Sequence, residues 1–246
     1  MQMVSDCKSN IFFTKFAPSA ANTKKNRTFA LPILYVFMKR FLLFSIAVIS
    51  FWGTLAAQPR DRSRLDIRPG DLLFFRDTAG MGSAVKESTG EYTHVAIVET
   101  VGDSIWIVDA TRRLGVSRHA IECQPGDSDF PDVYRIEGPN ISIEATLERA
   151  RSFIGQPYDN AFEPGTEALY CSELVYECYL RDFSDKKGKH LFEAKPMNWR
   201  DKDGNMPQYW IDHFARLGKP IPEGAPGTNP TDLSRSKFLQ KKTDYR

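Results

Sequence analysis

Residues 93–111 read THVAIVETVGDSIWIVDAT, and this stretch decides the fold. Thr93–Val101 and Ser104–Thr111 are two runs rich in β-branched residues, separated only by Gly102-Asp103. Such a two-residue break is a strong signal for an antiparallel hairpin. With Gly102-Asp103 as the turn, Val101 pairs with Ser104, Ala96 with Asp109 and His94 with Thr111. Side chains alternate along a strand, so His94, Ala96, Asp109 and Thr111 share one face, with His94 and Asp109 as diagonal neighbours. Glu99 differs in parity and belongs to the other face. An imidazole beside a carboxylate is half of a nucleophilic site, although a lone strand His or Asp is more often a satisfied structural group.

Outward from the hairpin, more strands and a few helices follow. Arg68-Pro69-Gly70 is a turn, and Asp71–Phe75 (DLLFF) after it reads as a buried strand. Asp77–Gly90, rich in Gly, Ser and Thr, reads as a loop bordering a cleft, with one helical turn near Ser83–Glu87. Gly115–Glu122 and Val133–Glu137 are further strands around a loop at Pro125–Pro131, so the sheet has about five strands. Ile143, Leu147, Ala150 and Ile154 recur at helical spacing, and Gly155 and Pro157 end that helix. A second helix covers Ala168–Leu180, with Leu174, Val175, Cys178 and Tyr179 on its apolar face. A third runs from Pro207 to Leu217, with Gly218 just past its end. Lys219–Pro230 is too rich in Pro and Gly for regular structure.

The start of the chain is of another kind. Met38-Lys39-Arg40 is basic, Phe41–Leu55 (FLLFSIAVISFWGTL) is apolar, and Ala56-Ala57 closes the run. That order is the layout of a secretory signal peptide, too short for a comfortable membrane span. The sequence therefore predicts a leader over residues 1–57, with Met38 as an alternative start, and a single domain over 58–246 that is exported to a periplasmic or extracellular space without a membrane span. An uncleaved anchor is the plainer alternative. Residues 1–57 hold seven of the 33 Lys plus Arg and one of the 31 Asp plus Glu, which leaves 26 basic and 30 acidic residues and a net charge of −4 on the remainder. A mildly acidic domain without a basic stripe gives no electrostatic reason to bind nucleic acid.

Cys123, Cys171 and Cys178 follow the leader, and an odd number of cysteines in an exported protein leaves at least one thiol unpaired. Cys171 falls at the predicted start of the second helix, where free N–H groups and the positive end of the dipole favour a thiolate. Cys178 lies two turns on, about 10.5 Å away along the axis, too far for a disulfide to Cys171. A small buried hydrophobe is the plain reading of any single Cys, and it is kept for Cys123 and Cys178. Neither C-x-x-C nor H-E-x-x-H occurs after the leader, and His119, His190 and His213 stand in unlike contexts, so neither metal nor cofactor is expected. The G-x-S-x-G elbow of serine hydrolases is absent too.

Taken in order, GDLLFF at 70–75, THVAIV at 93–98, VDAT at 108–111, GQPYDNAF at 155–162 and YCSELVYECY at 170–179 form a set that resembles the permuted papain-like amidases of the YiiX/YebB type, relatives of the NlpC-type cell-wall hydrolases. The resemblance runs from about residue 68 to 180. It implies an α+β, circularly permuted papain-like fold, with the antiparallel sheet packed against helices and the catalytic His before the Cys. It implies a triad of Cys171, His94 and an acidic residue, here Asp109 where the family often has Glu. Tyr158, Tyr170 and Glu173 are candidates for the substrate pocket. In plainer readings Tyr158 packs a helix junction and Glu173 complements the helix dipole. The expected reaction is amide hydrolysis on a peptide, a peptidoglycan stem or a lipid amide. A lipid-directed esterase or acyltransferase on the same triad, or a binding module with an inactive triad, are the alternatives.

Overall fold

The computed structural model describes residues 66–102, 104–123, 131–181 and 189–243. The leader segment, Asp103 of the hairpin turn and most of the Pro125–Pro131 loop lie outside the described residues. In chain order the elements are β1 (Leu72–Phe75), α1 (Met81–Thr89), β2 (His94–Val101), β3 (Ser104–Thr111), β4 (Gly115–Ala120), a 3₁₀ turn (Ile121–Cys123), β5 (Asp132–Ile136), α2 (Ile143–Ser152), α3 (Cys171–Cys178), β6 (Lys195–Pro196), α4 (Gln208–Leu217), β7 (Pro226–Gly227), α5 (Pro230–Ser234) and β8 (Leu239–Thr243). The main sheet is antiparallel throughout, in the order β4-β3-β2-β1-β5-β8.

The hairpin register is the one its sequence predicts, with Val101 opposite Ser104, Glu99 opposite Trp106 and Ile97 opposite Val108. Gly102 sits at φ 58°, a left-handed conformation that glycine adopts without a Cβ penalty. The sheet has six strands rather than about five, because the C-terminal β8 adds itself to β5. Its LQKKT sequence carries a lysine pair and little apolar alternation, as an exposed edge strand does.

Helix α3 is the packing centre. Leu174, Val175 and Cys178 are fully buried against Leu72, Val95, Ile97, Val108 and Ala110. One face of the sheet is therefore covered by a helix whose first residue is Cys171. Helix α2 begins at Ser142, whose hydroxyl accepts from the Ala145 amide, and α4 begins after Pro207 and ends at Gly218 in the left-handed region. The 77–90 segment forms a full helix, α1, where the sequence shows only one turn. Gly82 is explained by contact: a Cβ there would lie 2.8 Å from the Asp77 carbonyl oxygen.

The segment before α3 is fixed from β4. The Val116 amide donates to the Gln156 carbonyl and the Gly155 amide returns to Val116. A Cβ on Gly115 would sit 2.2 Å from the Gln156 oxygen, so only glycine allows this approach. Asp159 then organises the turn beyond it, its carboxylate accepting from the Ala161 amide at 2.8 Å and the Glu163 amide at 2.6 Å. Within that turn Phe162 takes φ 57°, a strained conformation for a bulky residue. Its ring contacts Tyr170, Trp199 and Trp210 in a second aromatic core.

Candidate active site

Cys171 is the first residue of α3, and no side chain caps that helix start. The amide of Cys171 therefore has no partner within the helix and sits at the positive end of its dipole. His94 begins β2, opposite Phe75 of β1, whose ring lies 5.5 Å from the imidazole centroid. From β3, Asp109 is fully buried and its Oδ2 lies 2.8 Å from His94 Nε2. The Asp109 contact occupies Nε2, and Cys171 is the second side chain that acts on the imidazole. Cys171, His94 and Asp109 thus form one connected row.

The electrostatics follow from that row. Burial works against a charged imidazole, yet the hydrogen bonds and negative charges of Asp109 and Cys171 outweigh it and lift His94 to about 10. An imidazolium held at neutral pH is the partner a thiolate needs. Cys178, two turns along α3, has no such partner, and burial pushes its thiol up. Cys171 and Cys178 are both free thiols; the side chain of Cys123 lies outside the described residues.

Beside Cys171 opens a cavity of about 280 Å³. His94, Tyr158 and Tyr170 line it, and so do Met81 and Val85 of α1, Phe162, Met197, Trp199 and Trp210. The Tyr158 hydroxyl contacts Met81 Sδ at 3.8 Å, and burial followed by the Cys171 charge raises its pKa. The Tyr170 hydroxyl accepts from the Thr228 amide at 3.1 Å, which ties the residue before Cys171 to the C-terminal region. Glu173, by contrast, is not among the lining residues. Two positions along a helix turn a side chain roughly 200° away, so Glu173 points from the cavity into the protein, near Asp159. Burial and the Asp159 charge raise it to about 8, against amides of Gly165 and Tyr170, and its Oε2 lacks a hydrogen-bond partner among the described residues. Asp71, just before β1, accepts from the Arg68 amide at 2.8 Å and pairs with Arg135 at 2.7 Å.

Two site features are missing from the sequence reading. The α1 wall hides in a segment without a clear period. His119 of β4, whose Nδ1 lies 3.7 Å from Asp109 Oδ1, requires the β3–β4 register, in which Asp109 faces Ser117.

A family described as permuted papain-like amidase enzyme, YaeF/YiiX, C92 family, matches residues 66–242 of this chain. The chain belongs to that family. A relative among curated proteins is the uncharacterized protein YiiX of Escherichia coli strain K12, 24% identical over 157 residues, covering 62% of this chain and 74% of that protein. Among solved structures, the crystal structure of metalloprotein yiiX from Escherichia coli O157:H7 superposes with a TM-score of 0.57 at 20% identity, over 74% of this chain and 99% of that one. At that identity the likeness supports the fold.

Proposed function

We propose that this permuted papain-like amidase is an exported cysteine hydrolase that cleaves an amide bond, with Cys171 as nucleophile, His94 as general acid and base and Asp109 as the group that orients His94. One observation carries the reading: Asp109 and Cys171 act together on one imidazole, and the thiol sits at an uncapped helix start that opens on a cavity. The Cys171 thiolate attacks the acyl carbon, and the developing oxyanion is met by the Cys171 amide. The His94 imidazolium then protonates the departing amine, the C–N bond breaks, and an acyl-enzyme remains. Water, deprotonated by the now neutral imidazole, releases the acid and restores the thiol. Export rests on the order of basic, apolar and small residues over Met38–Ala57, and export together with the cell-wall relatives of the family favours a peptide or peptidoglycan stem.

The apolar wall of Met81, Val85, Phe162, Trp199 and Trp210 favours a second reading, a lipid-directed esterase or acyltransferase on the same triad. In that case an added amine or alcohol intercepts the acyl-enzyme faster than water does. The solved structure of yiiX is titled a metalloprotein. In this chain no group of three or more His, Cys, Asp and Glu is placed to hold a metal among the described residues.

The test is alkylation of the protein at neutral pH followed by mass mapping. Cys171 is expected to react at least about tenfold faster than Cys178, His94→Ala to slow that reaction, and Cys171→Ser to abolish turnover with the fold intact. A Cys171 no more reactive than the buried Cys178, or full turnover by Cys171→Ser, ends the hydrolase reading in favour of a binding role.

A further inference from the structure

Apart from His94, the charged residues that line the cavity are Asp77, Arg112 and Arg113. Asp77 is engaged locally, its Oδ1 accepting from the Ala79 amide at 2.9 Å. The two arginines follow directly on Asp109-Ala110-Thr111, so the strand that supplies the acceptor for His94 also leads into two arginines that line the cavity. Arg112 is held in place by neutral acceptors, with Nε donating to Asn160 Oδ1 at 3.2 Å and Nη1 to Tyr209 Oη at 2.9 Å. Arg113 is exposed. Among the described residues neither one meets a carboxylate. This sets them apart from Arg76, Arg118, Arg135 and Arg151, each of which is paired with a buried Asp or Glu. Neither charge is therefore ion-paired among the described residues, and the charge of Arg112 reaches the same Tyr158 hydroxyl that feels Cys171.

We propose that Arg112 and Arg113 form an anion subsite at the cavity rim, which binds a carboxylate or phosphate carried by the substrate within a few atoms of the carbonyl that Cys171 attacks. A guanidinium suits either anion, because its planar N–H fork meets two oxygens at once. The apolar wall then takes the uncharged part of the same molecule, so the substrate is an anionic amphiphile rather than a neutral acyl chain. This proposal rests on the reading of Cys171 as nucleophile.

Iodoacetate and iodoacetamide separate the two ideas. Each forms an S–C bond to Cys171 with loss of iodide, and they differ by one carboxylate in place of an amide. The ratio of the iodoacetate rate to the iodoacetamide rate is expected to fall about fivefold in Arg113→Gln. It should fall further in the Arg112→Gln/Arg113→Gln pair, recover in Arg113→Lys, and shrink with added salt in the wild type. His94 favours the anion equally in all these proteins, so its contribution cancels between them. Arg113→Gln breaks no hydrogen bond or ion pair among the described residues, which keeps the test open if Arg112→Gln disturbs Asn160 and Tyr209. Octanoate and octyl phosphate as competitors of iodoacetamide then identify the anion: the better protector, provided it loses its effect in Arg113→Gln, names the group. Reaction with both reagents at a ratio unchanged in the double variant, or equal protection of wild type and double variant, overturns the subsite while leaving the nucleophile in place. Failure of Cys171 to react with either reagent overturns the nucleophile and the subsite with it.

Discussion

The hairpin of β2 and β3 buries two carboxylates on opposite faces, and their neighbours make them different devices. Glu99 is matched by two permanent cations, with Arg151 Nη2 at 2.7 Å and Arg118 on its other oxygen. Burial alone pushes Glu99 up, but the two guanidiniums outweigh it and hold it below the usual carboxylate range. Asp109 meets imidazoles instead, His94 at 2.8 Å and His119 at 3.7 Å. A guanidinium does not give up its proton, so the Glu99 cluster only ties β2 to β4 and α2. An imidazole does, so the Asp109 end can move a proton to and from whatever stands beyond His94. On the proposed reading, chemistry and bracing are separated by strand parity within a single supersecondary unit.

Neutralising each carboxylate tests that separation, and the largest effect is expected at Asp109. Asp109→Asn should lower turnover about a hundredfold, because the imidazole loses the acceptor that fixes its orientation, while the unfolding midpoint changes little. The variant also has a pH signature. Removing a negative neighbour disfavours the protonated ring, so the folded pKa of His94 falls from about 10 towards its ordinary value of 6.5. The alkaline edge of Cys171 alkylation should move down with it. Glu99→Gln should do the opposite, sparing turnover and costing about 1–3 kcal/mol in chemical denaturation, the low end applying because Arg118 and Arg151 are about a third exposed. A silent Asp109→Asn beside a damaging Glu99→Gln in the activity assay would mean that the two ends have been assigned the wrong way round.

Both carboxylates were legible in the sequence because two turn residues fix the hairpin register and parity does the rest. His94 and Asp109 could be brought together from numbering alone, and the placing of Cys171 at a helix start needed only the apolar spacing of Leu174, Val175 and Cys178. The remainder depends on long-range contacts. Met81 and Val85 face the cavity because α1 folds against α4 and Trp199, a packing with no local trace. Phe162 adopts its left-handed backbone because the Asp159 carboxylate gathers the amides around it, and nothing in the sequence DNAF announces that. Strand β8 forms because β5 offers an open edge, and its own residues carry only weak β preference. Glu173 shows where a motif misleads: adjacency to the nucleophile in sequence suggested the pocket, and the helical turn rotates the side chain away from it.

Helix α3 offers a smaller version of the same contrast, with Cys171 and Cys178 two turns apart on one buried face. Cys178→Ser places a hydroxyl in a site with no exposure, and the expected cost is about 1–3 kcal/mol with the alkylation rate of Cys171 unchanged. Loss of Cys171 reactivity in a folded Cys178→Ser protein would show that the two ends of the helix are coupled rather than independent.

Glu173 gives the subtlest test, since its environment opposes ionisation where that of Glu99 enforces it. Burial first, and then the charge of Asp159, raise Glu173 from its ordinary 4.5 to about 8, so at neutral pH the folded protein holds a proton there that the unfolded chain releases. The sign follows from linkage: where the folded state binds more protons, stability falls as pH rises. The contribution of Glu173 is fully present below pH 4.5 and is lost by the time pH passes about 8. Asp159 is raised as well, by burial against the amides of Ala161, Glu163 and Phe162, and adds a slope of the same sign that stays in place when Glu173 is changed. Glu173→Gln cannot ionise, so the denaturation midpoints of wild type and variant should lie closest near pH 5 and part as pH climbs to 8.5, the variant becoming the more stable by up to a few kcal/mol. Two curves that run parallel over that range would mean that Glu173 is already ionised in the folded protein and that its unpartnered oxygen is met by water, in which case it does not differ from Glu99 in kind.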